Sequence, residues 1–495
     1  MKKIAISLWG LLLCACCAPI VEPFADTAGN PLIYPDYADV TVPLNIAPLN
    51  FDILGEGERY STVFSCGEQS FSCKGKKVRI PVGKWHRLLA SAAGGDLSVR
   101  IRERSASGWT DYCSFAIHVS PDPIDEYAAY RLIEPGYVHY GEMTLRQRRL
   151  TDFKEWDIYN NSLMSRRLEQ QCINCHAFQD FGTERMQFHV RQLSGGTVIA
   201  DGGDIGKMNF KTDSLIANGV YPSWHPKEDL LAYSVNVTNQ VFLRGDRQRL
   251  EVYDSASDLI LYDPRTEETR FILHDPDRLE TFPAWSPDGK TLYYAVADLA
   301  PLDLAPGQPV YEKYESVRYA VCSLPFDPVS RTFGTPSVLF DAPADSLSAV
   351  TPRPSPDGRF LLCAVGKFGC FQIWHDEGDL YLIDLATGAV RPLDAANSDR
   401  ADSFHAWSSN SRWFIFASRR EDRTYSRLYI CYLDENGQAG KPFLLPQKDP
   451  SVNRFLMKSF NVPELTREKV RTGVKSFARV IGRDAGQATF RSSGI

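Results

Sequence analysis

The sequence lacks the basic excess of nucleic-acid-binding proteins, and it lacks any long apolar run after its first residues. Lys and Arg number 55 against 61 Asp and Glu, and the formal net charge is -6 over 495 residues. This near-neutral balance, without a basic stripe, excludes nucleic acid as an expected partner. No apolar run beyond residue 20 approaches the roughly 18 residues of a membrane-spanning helix. The sequence also has no second Cys or His pair at zinc-finger spacing, which argues against a zinc knuckle.

The N-terminus is typical of an export signal. It begins MKKIAISLWGLLLCACCAP, in which two lysines precede a short apolar run. The run ends in Leu-Cys-Ala-Cys, which resembles the lipobox of bacterial lipoproteins, with a small alanine directly before Cys16. We predict a signal peptide at 1–16, lipidation of Cys16 and a linker at 17–34. The lipid anchor implies attachment to a membrane of the cell envelope, which we expect to be the outer membrane of a Gram-negative bacterium, with the protein on the periplasmic or surface side. An ordinary signal peptide with chance cysteines is the alternative.

The stretch QQCINCHAF contains a Cys-x-x-Cys-His motif at Cys172, Cys175 and His176. With so few cysteines and histidines in the chain, chance is a poor explanation of this spacing. A dithiol redox pair would require a parallel α/β domain around it, which the flanking sequence does not predict. In an exported protein the motif predicts one covalent haem c, with thioethers to both cysteines and His176 as the proximal iron ligand.

The segment before the motif predicts a helix. TDFKEWDIYNNSLMSRRLEQQ (151–171) places Phe153, Trp156 and Met164 at helical spacing, so we expect a short helical haem-binding connector at 122–185.

The sixth iron ligand has three nearby candidates, Met186, His189 and Met208. In MQFHVRQ, alternation places Met186 with Phe188 and Val190 on one face and His189 on the other, polar face. His189 is the preferred distal ligand, because iron ligation or contact with a haem propionate would explain a histidine on the polar face. Met186 or an open position are the alternatives.

Four segments of the sequence repeat one pattern. They are YPSWHPKEDLLAYSVN, FPAWSPDGKTLYYAVAD, TPRPSPDGRFLLCAVGK and SFHAWSSNSRWFIFASRR, each a tight turn followed by an alternating strand. In the S-P-D-G turns, Gly289 and Gly358 are expected to take the left-handed conformation. Three of the four are followed by two more predicted strands. The repeats therefore indicate four-stranded antiparallel units, the pattern of β-propeller blades.

These repeats resemble the WD40-like, TolB-type propeller repeat in their W-S-P-D-G-K and L-Y-x-x-D elements. The resemblance implies a β-propeller at 186–462, with about six blades expected and five or seven as alternatives. The fold class predicted for the whole chain is mainly β. A small immunoglobulin-like β-sandwich at 35–121 precedes the connector, and a C-terminal helix and tail at 463–495 follow the propeller.

The combination of lipobox, sandwich, haem motif and repeats resembles a group of anchored propeller proteins of Gram-negative bacteria, some of them labelled cytochrome c biogenesis proteins. We expect electron transfer between one haem c and a redox or envelope protein partner docked on the propeller. A binding or scaffold module with structural or sensory haem is the first alternative, and a haem-dependent oxidoreductase is the second. No catalytic set is visible in the repeats.

Overall fold

The computed structural model describes residues 29–134, 142–164, 170–244, 250–305 and 308–492. The predicted signal peptide and the lipidation site Cys16 lie outside these residues. The described chain is mainly β, and in this part of the chain no helix is long and apolar enough to cross a membrane.

The N-terminal module contains two sheets and one helix that the sequence did not predict. Its strands are Ile33–Tyr34, Val40–Pro43, Phe51–Ile53, Arg59–Cys66, Gln69–Lys74, Lys77–Val78, Gly95–Ser105, Gly108–Asp111 and Phe115–Ser120, and its helix is Val82–Ser91. The helix buries Trp85, Leu88 and Leu89 in the core of the module. The indole of Trp85 donates to Ile46 O at 3.0 Å, which satisfies its one polar atom inside that core.

Cys66 and Cys73 lie close together in the sequence, but they do not meet across their hairpin. Cys66 pairs with Gln69 and Cys73 pairs with Thr62, so the two cysteines lie four positions apart along the ladder. Four strand residues span roughly 13 Å, well beyond disulfide reach. Both thiols are free.

Six antiparallel sheets follow, which we number 1 to 6 along the chain by the strand that opens each one. Sheet 1 contains Gln171–Phe178, Arg185–Gln192, Gly196–Asp201 and Asp204–Asn209; sheet 2 contains Gly219–Trp224, Leu231–Phe242, Leu250–Asp263 and Glu268–Leu273; sheet 3 contains Arg278–Trp285, Thr291–Asp298, Ala320–Asp327 and Ser337–Phe340, with Thr332–Phe333 beside it. Sheet 4 contains Ser348–Pro354, Phe360–Gly366, Asp379–Asp384 and Val390–Pro392, and sheet 5 contains Asp402–Trp407, Trp413–Ser418, Arg427–Tyr432 and Phe443–Leu444. A single pairing of Ser257 with Leu279 joins sheets 2 and 3.

Sheet 6 is assembled from both ends of the chain. Its first strand, Ser459–Thr466, pairs with Tyr127–Ile133, and Thr144–Arg149 and Glu155–Asn160 complete it. The first strand of each sheet contacts the first strand of the next, and that of sheet 6 contacts that of sheet 1. The six first strands therefore form a closed circle of contacts.

The turns inside the repeats form as the sequence predicts. In Ser286-Pro287-Asp288-Gly289, the hydroxyl of Ser286 donates to Asp288 at 2.6 Å, and Gly289 has a φ of 76°. Gly358, in the matching turn of sheet 4, has a φ of 71°. Glycine adopts this left-handed conformation without the steric cost that a Cβ would add, so these turn predictions are confirmed.

The predicted helix before the haem motif is wrong over the residues that the structure describes. Residues 155–160 form a strand that pairs with Thr144–Arg149, a short 3-10 turn covers Asn161–Leu163, and the motif lies on a strand. Trp156 and Ile158 lie two residues apart and so also fit one face of a strand, and pairing to the neighbouring strand decides between helix and strand. Because Gln171–Phe178 pairs with Arg185–Gln192, the two sides of the predicted boundary at 186 share one sheet.

The tail forms the predicted helix, at Val474–Ile481, and it docks on sheet 1. Val470, Phe477 and Ile481 are buried together with Phe188 of the second strand of that sheet. The rings of Phe188 and Phe477 meet edge to face with centroids 5.2 Å apart. Further along the tail, Gly486–Gln487 and Thr489–Phe490 add short parallel strands to the edges of sheets 1 and 2.

Candidate functional site: the axial cavity

The first strand of every sheet contains the same irregularity. In each of the six, the pairing with the neighbouring strand shifts at a β-bulge that begins with a non-glycine residue in the left-handed conformation. The residues, with φ between 47° and 54°, are Cys175, Tyr221, Phe282, Thr351, Phe404 and Val462. Bulges sharpen the local twist and redirect side chains. The positive φ of Cys175 therefore belongs to the repeat and is no special feature of the haem motif.

We call the four residues starting at each left-handed residue a bulge segment. The bulge segments are 175–178, 221–224, 282–285, 351–354, 404–407 and 462–465. Residues from all six line a single cavity of about 340 Å³, the axial cavity. Because the six strands that supply it contact one another in a circle, the cavity lies at the centre of that circle.

The residue at the third position of each bulge segment lines the axial cavity, and the small size of most of these residues leaves the space open. Four of the six residues are small: Ala177, Ser223, Ala284 and Ala406. The other two are charged side chains, Arg353 in sheet 4 and Glu464 in sheet 6. The second position is proline in four sheets, but it is His176 in sheet 1 and His405 in sheet 5. Four side chains thus depart from the repeat, and all four line the axial cavity.

The departures make one part of the cavity wall polar. Burial lowers the pKa of the Arg353 guanidinium from its usual value, and the group stays a cation at neutral pH because that value is so high. Burial raises the pKa of Glu464 to about 8. One oxygen of Glu464 accepts a hydrogen bond from Phe178 N at 2.9 Å. Near neutral pH the Glu464 carboxyl group is therefore mostly protonated, and Arg353 is left as the charged group of this wall.

The two histidines of the polar wall are neutral. Burial lowers the pKa of His176 and that of His405 to about 3. His405 Nε2 donates to Leu362 O at 3.1 Å. His176 Nε2 is buried and, among the described residues, has no hydrogen-bond partner, with Glu464 Oε2 4.0 Å away. A buried polar atom without a partner costs free energy, so His176 Nε2 is a site where a ligand would supply a missing hydrogen bond.

The opposite wall is aromatic. Sheets 2 and 3 contribute Trp224 and Trp285 at the fourth position of their bulge segments, and both are buried. Trp407 of sheet 5 takes the same position, and its indole donates to Arg353 O at 2.8 Å. The axial cavity therefore joins an indole-lined wall to a wall that carries one cation, the usual composition of a small-molecule site.

The haem motif does not fit this geometry. A c-type haem requires both cysteine sulfurs and the histidine ring to face one common space. Cys172 is 7% exposed and lies in the apolar cluster with Met143 and Ile158, where burial raises the pKa of its thiol. Cys175 is half-buried, and of the three motif residues only His176 lines the axial cavity. The described arrangement therefore offers no single space in which a porphyrin would meet all three side chains.

The candidate distal ligands lie away from the cavity as well. Met186 is buried with Phe188 and Val190, which confirms the predicted core face of this strand. His189 is buried on the other face, pairs with Asn174 across the sheet, and its Nδ1 lies 3.0 Å from Thr197 Oγ1. In the part of the chain that the structure describes, no group of three or more His, Cys, Asp or Glu side chains is arranged to hold a metal ion.

Arg353, Glu464 and His405 are cavity residues that the sequence analysis did not identify. The signal was present in the repeats, because aligning TPRP with FPAW places Arg353 where sheet 3 has Ala284. Glu464 gave a weaker signal, since its strand has no S-P-D-G turn after it and did not align with the four repeats.

Comparison with known proteins identifies no family. No known family and no curated protein matches the sequence. The solved structures that it is similar to include an oligogalacturonate lyase in complex with manganese (10% identity, 65% of this chain and 74% of that chain, TM-score 0.35). An oligogalacturonate lyase from Vibrio parahaemolyticus has 11% identity over 60% of this chain and 85% of its own, with a TM-score of 0.33. A DUF4784 family protein from Bacteroides caccae has 11% identity over 87% and 98%, with a TM-score of 0.30. Likenesses this distant assign no activity.

Proposed function

We propose that the chain is a six-bladed β-propeller that binds a small ligand in its axial cavity. Each of sheets 1 to 6 would be one blade, and sheet 6 would close the ring by pairing the C-terminal strand with N-terminal ones. The circle of first-strand contacts, the bulge repeated six times and the cavity lined from all six sheets support this arrangement.

One observation carries the binding function. The four side chains that depart from the blade repeat, namely His176, Arg353, His405 and Glu464, all line the axial cavity. A purely structural repeat would keep proline and a small residue at these positions, because charged and imidazole groups cost free energy when they are buried. Their convergence on one cavity supports a ligand site, and it favours the binding module over electron transfer.

The cellular setting belongs to the proposal as well. The lysines and apolar run of residues 1–16 support export, and the lipobox-like sequence supports an anchor at Cys16 in the Gram-negative envelope. The binding module would thus stand on a membrane surface, where it would collect its ligand or present it to an envelope protein partner.

Covalent haem and electron transfer stay predictions of the sequence. Under those predictions, the exported protein would show a haem-stained band on a denaturing gel, and Cys172→Ala combined with Cys175→Ala would abolish it because both thioethers are lost. Cys431→Ala, which removes a buried thiol of sheet 5, is the control and would keep the band. Exported wild-type protein without haem stain would contradict both predictions and leave the axial binding site untouched.

Filling the axial cavity is expected to abolish ligand binding. Ala284→Leu combined with Ala406→Leu adds bulk to the cavity at two sheets, whereas the control Ala386→Leu makes the same kind of substitution once, on an exposed turn. A library of small acids, amines and sugars is screened by thermal shift, since a ligand that binds the folded state stabilises it by an amount that grows with the logarithm of one plus the ratio of ligand concentration to Kd. Compounds that stabilise wild type and the Ala386 variant should not stabilise the double variant. Equal stabilisation of all three proteins, or no active compound, would refute the proposal.

A further inference from the structure

Arg353 is placed to receive a ligand, because no carboxylate in the described structure forms an ion pair with it, and the nearby Glu464 acts on it only through space. Its one side-chain hydrogen bond, to Pro352 O, is 3.4 Å long. Among the described residues, no carboxylate oxygen lies within 4.0 Å of its guanidinium nitrogens. Glu464, the acidic side chain of the same wall, keeps one oxygen on Phe178 N. A cation in a partly enclosed site without a counter-charge is unfavourable unless an anion joins it.

The shape of the guanidinium narrows the choice of anion. Its planar fork of donors matches the two oxygens of a carboxylate, and such paired hydrogen bonds are among the strongest in proteins. The backbone that carries the fork is fixed, since Trp407 Nε1 donates to Arg353 O at 2.8 Å. Trp224 and Trp285, across the cavity, offer apolar surface to the remainder of a ligand. The volume of about 340 Å³ lies at the small end of ligand pockets, so the ligand is a small molecule or the last residues of a chain.

We propose that the axial cavity binds an organic carboxylate with an apolar or aromatic body, its carboxylate on Arg353 and its body against Trp224 and Trp285. This inference rests on the proposed function and assigns a ligand class to the same cavity. His176 Nε2 and His405 Nδ1, two buried atoms of the polar wall without a hydrogen-bond partner among the described residues, provide further polar contacts for such a ligand.

The test compares an acid with its amide. Phenylpropionate and phenylpropionamide have nearly the same size, and only the acid carries the charge. Binding to the full chain is followed by tryptophan fluorescence, because indoles line the cavity. Wild type should bind the acid and discriminate against the amide. Arg353→Met, which keeps the unbranched apolar stem but removes the guanidinium fork, should weaken acid binding by about 10- to 100-fold. The control Arg359→Met removes an exposed arginine outside the cavity and should leave the affinity unchanged.

A second pair of probes separates the two sources of such a carboxylate. Gly-Gly-Phe and its C-terminal amide test a peptide end, whereas phenylpropionate tests a free acid. Whichever acid binds more tightly identifies the source, and either result supports the proposal if Arg353→Met weakens it.

Equal binding of acid and amide, an unchanged affinity of Arg353→Met, or no binding of either acid would overturn the inference. The cavity-filled variant separates this failure from failure of the proposed function. If filling the cavity blocks other library compounds while Arg353→Met leaves the affinity for the acids unchanged, the cavity binds ligands but the carboxylate assignment is wrong.

Discussion

Arg427→Met is expected to destabilise the folded chain by about 3–5 kcal/mol, one of the largest effects of any single substitution here. Arg427 is fully buried in the third strand of sheet 5. Its guanidinium donates at 2.8 Å to three backbone carbonyls, those of Asn453, Leu456 and Lys458. Methionine fills a similar volume but donates no hydrogen bond. Three carbonyls in the segment before strand Ser459–Thr466 therefore lose their donor.

The measurement is the denaturation midpoint followed by tryptophan fluorescence, with two comparison variants. Arg427→Lys should recover only part of the loss, because an ammonium group cannot reach three carbonyls with the geometry of a planar fork. Arg359→Met, on an exposed turn, should change the free energy of unfolding by no more than about 0.5 kcal/mol. If Arg427→Met also changes the free energy of unfolding by no more than about 0.5 kcal/mol, the segment from Asn453 to Lys458 holds its position without the arginine.

This prediction connects stability to the axial cavity. The segment held by Arg427 leads directly into Ser459–Thr466, the first strand of sheet 6, which carries Glu464. Ser426, the neighbour of Arg427, also donates from its backbone N to Ser459 Oγ at 3.2 Å. A loosened entry to this strand should therefore weaken ligand binding in Arg427→Met even at temperatures where most molecules remain folded.

The sequence predicted the local elements well and their assembly less well. The S-P-D-G turns of sheets 3 and 4 and the alternating strands of the four repeats are local features, and sheets 2 to 5 carry these strands at the predicted places. Sheet 6 could not be predicted in this way, because its strands lie far apart in the chain. Gln147 donates to Thr466 across 319 positions, and no local pattern encodes which distant strands pair.

For the candidate site too, the sequence predicted a local feature but not the residues that the fold brings next to it. The Cys-x-x-Cys-His motif drew attention to His176, and His176 does line the cavity. Its partners there, Arg353, His405 and Glu464, come from three other sheets, so only the assembled ring brings them together. Spacing within one strand could reveal the motif, but it could not show that the side chain of Cys172 turns into an apolar cluster.

The second large effect concerns Glu280, on the first strand of sheet 3. Its side chain is buried, and its Oε2 has no hydrogen-bond partner among the residues that the structure describes. Burial, with added repulsion from Asp258 and Asp275, raises its pKa from 4.5 to about 8. Between these two values the folded chain keeps a proton that the unfolded chain has released. The free energy of unfolding should therefore fall as the pH rises through this range.

Glu280→Gln should remove this loss, because a neutral amide of nearly the same size replaces the carboxyl group. At about pH 5 the variant and wild type should have similar stability, whereas at about pH 9 the variant should be more stable by several kcal/mol, at most on the order of 4. Denaturation midpoints at both pH values provide the measurement, and Glu435→Gln, whose side chain is 81% exposed, provides the control with no pH-dependent difference. A Glu280→Gln effect of the same size at both pH values would mean that lost packing or hydrogen bonding, and not the titration of a buried carboxyl group, accounts for the change.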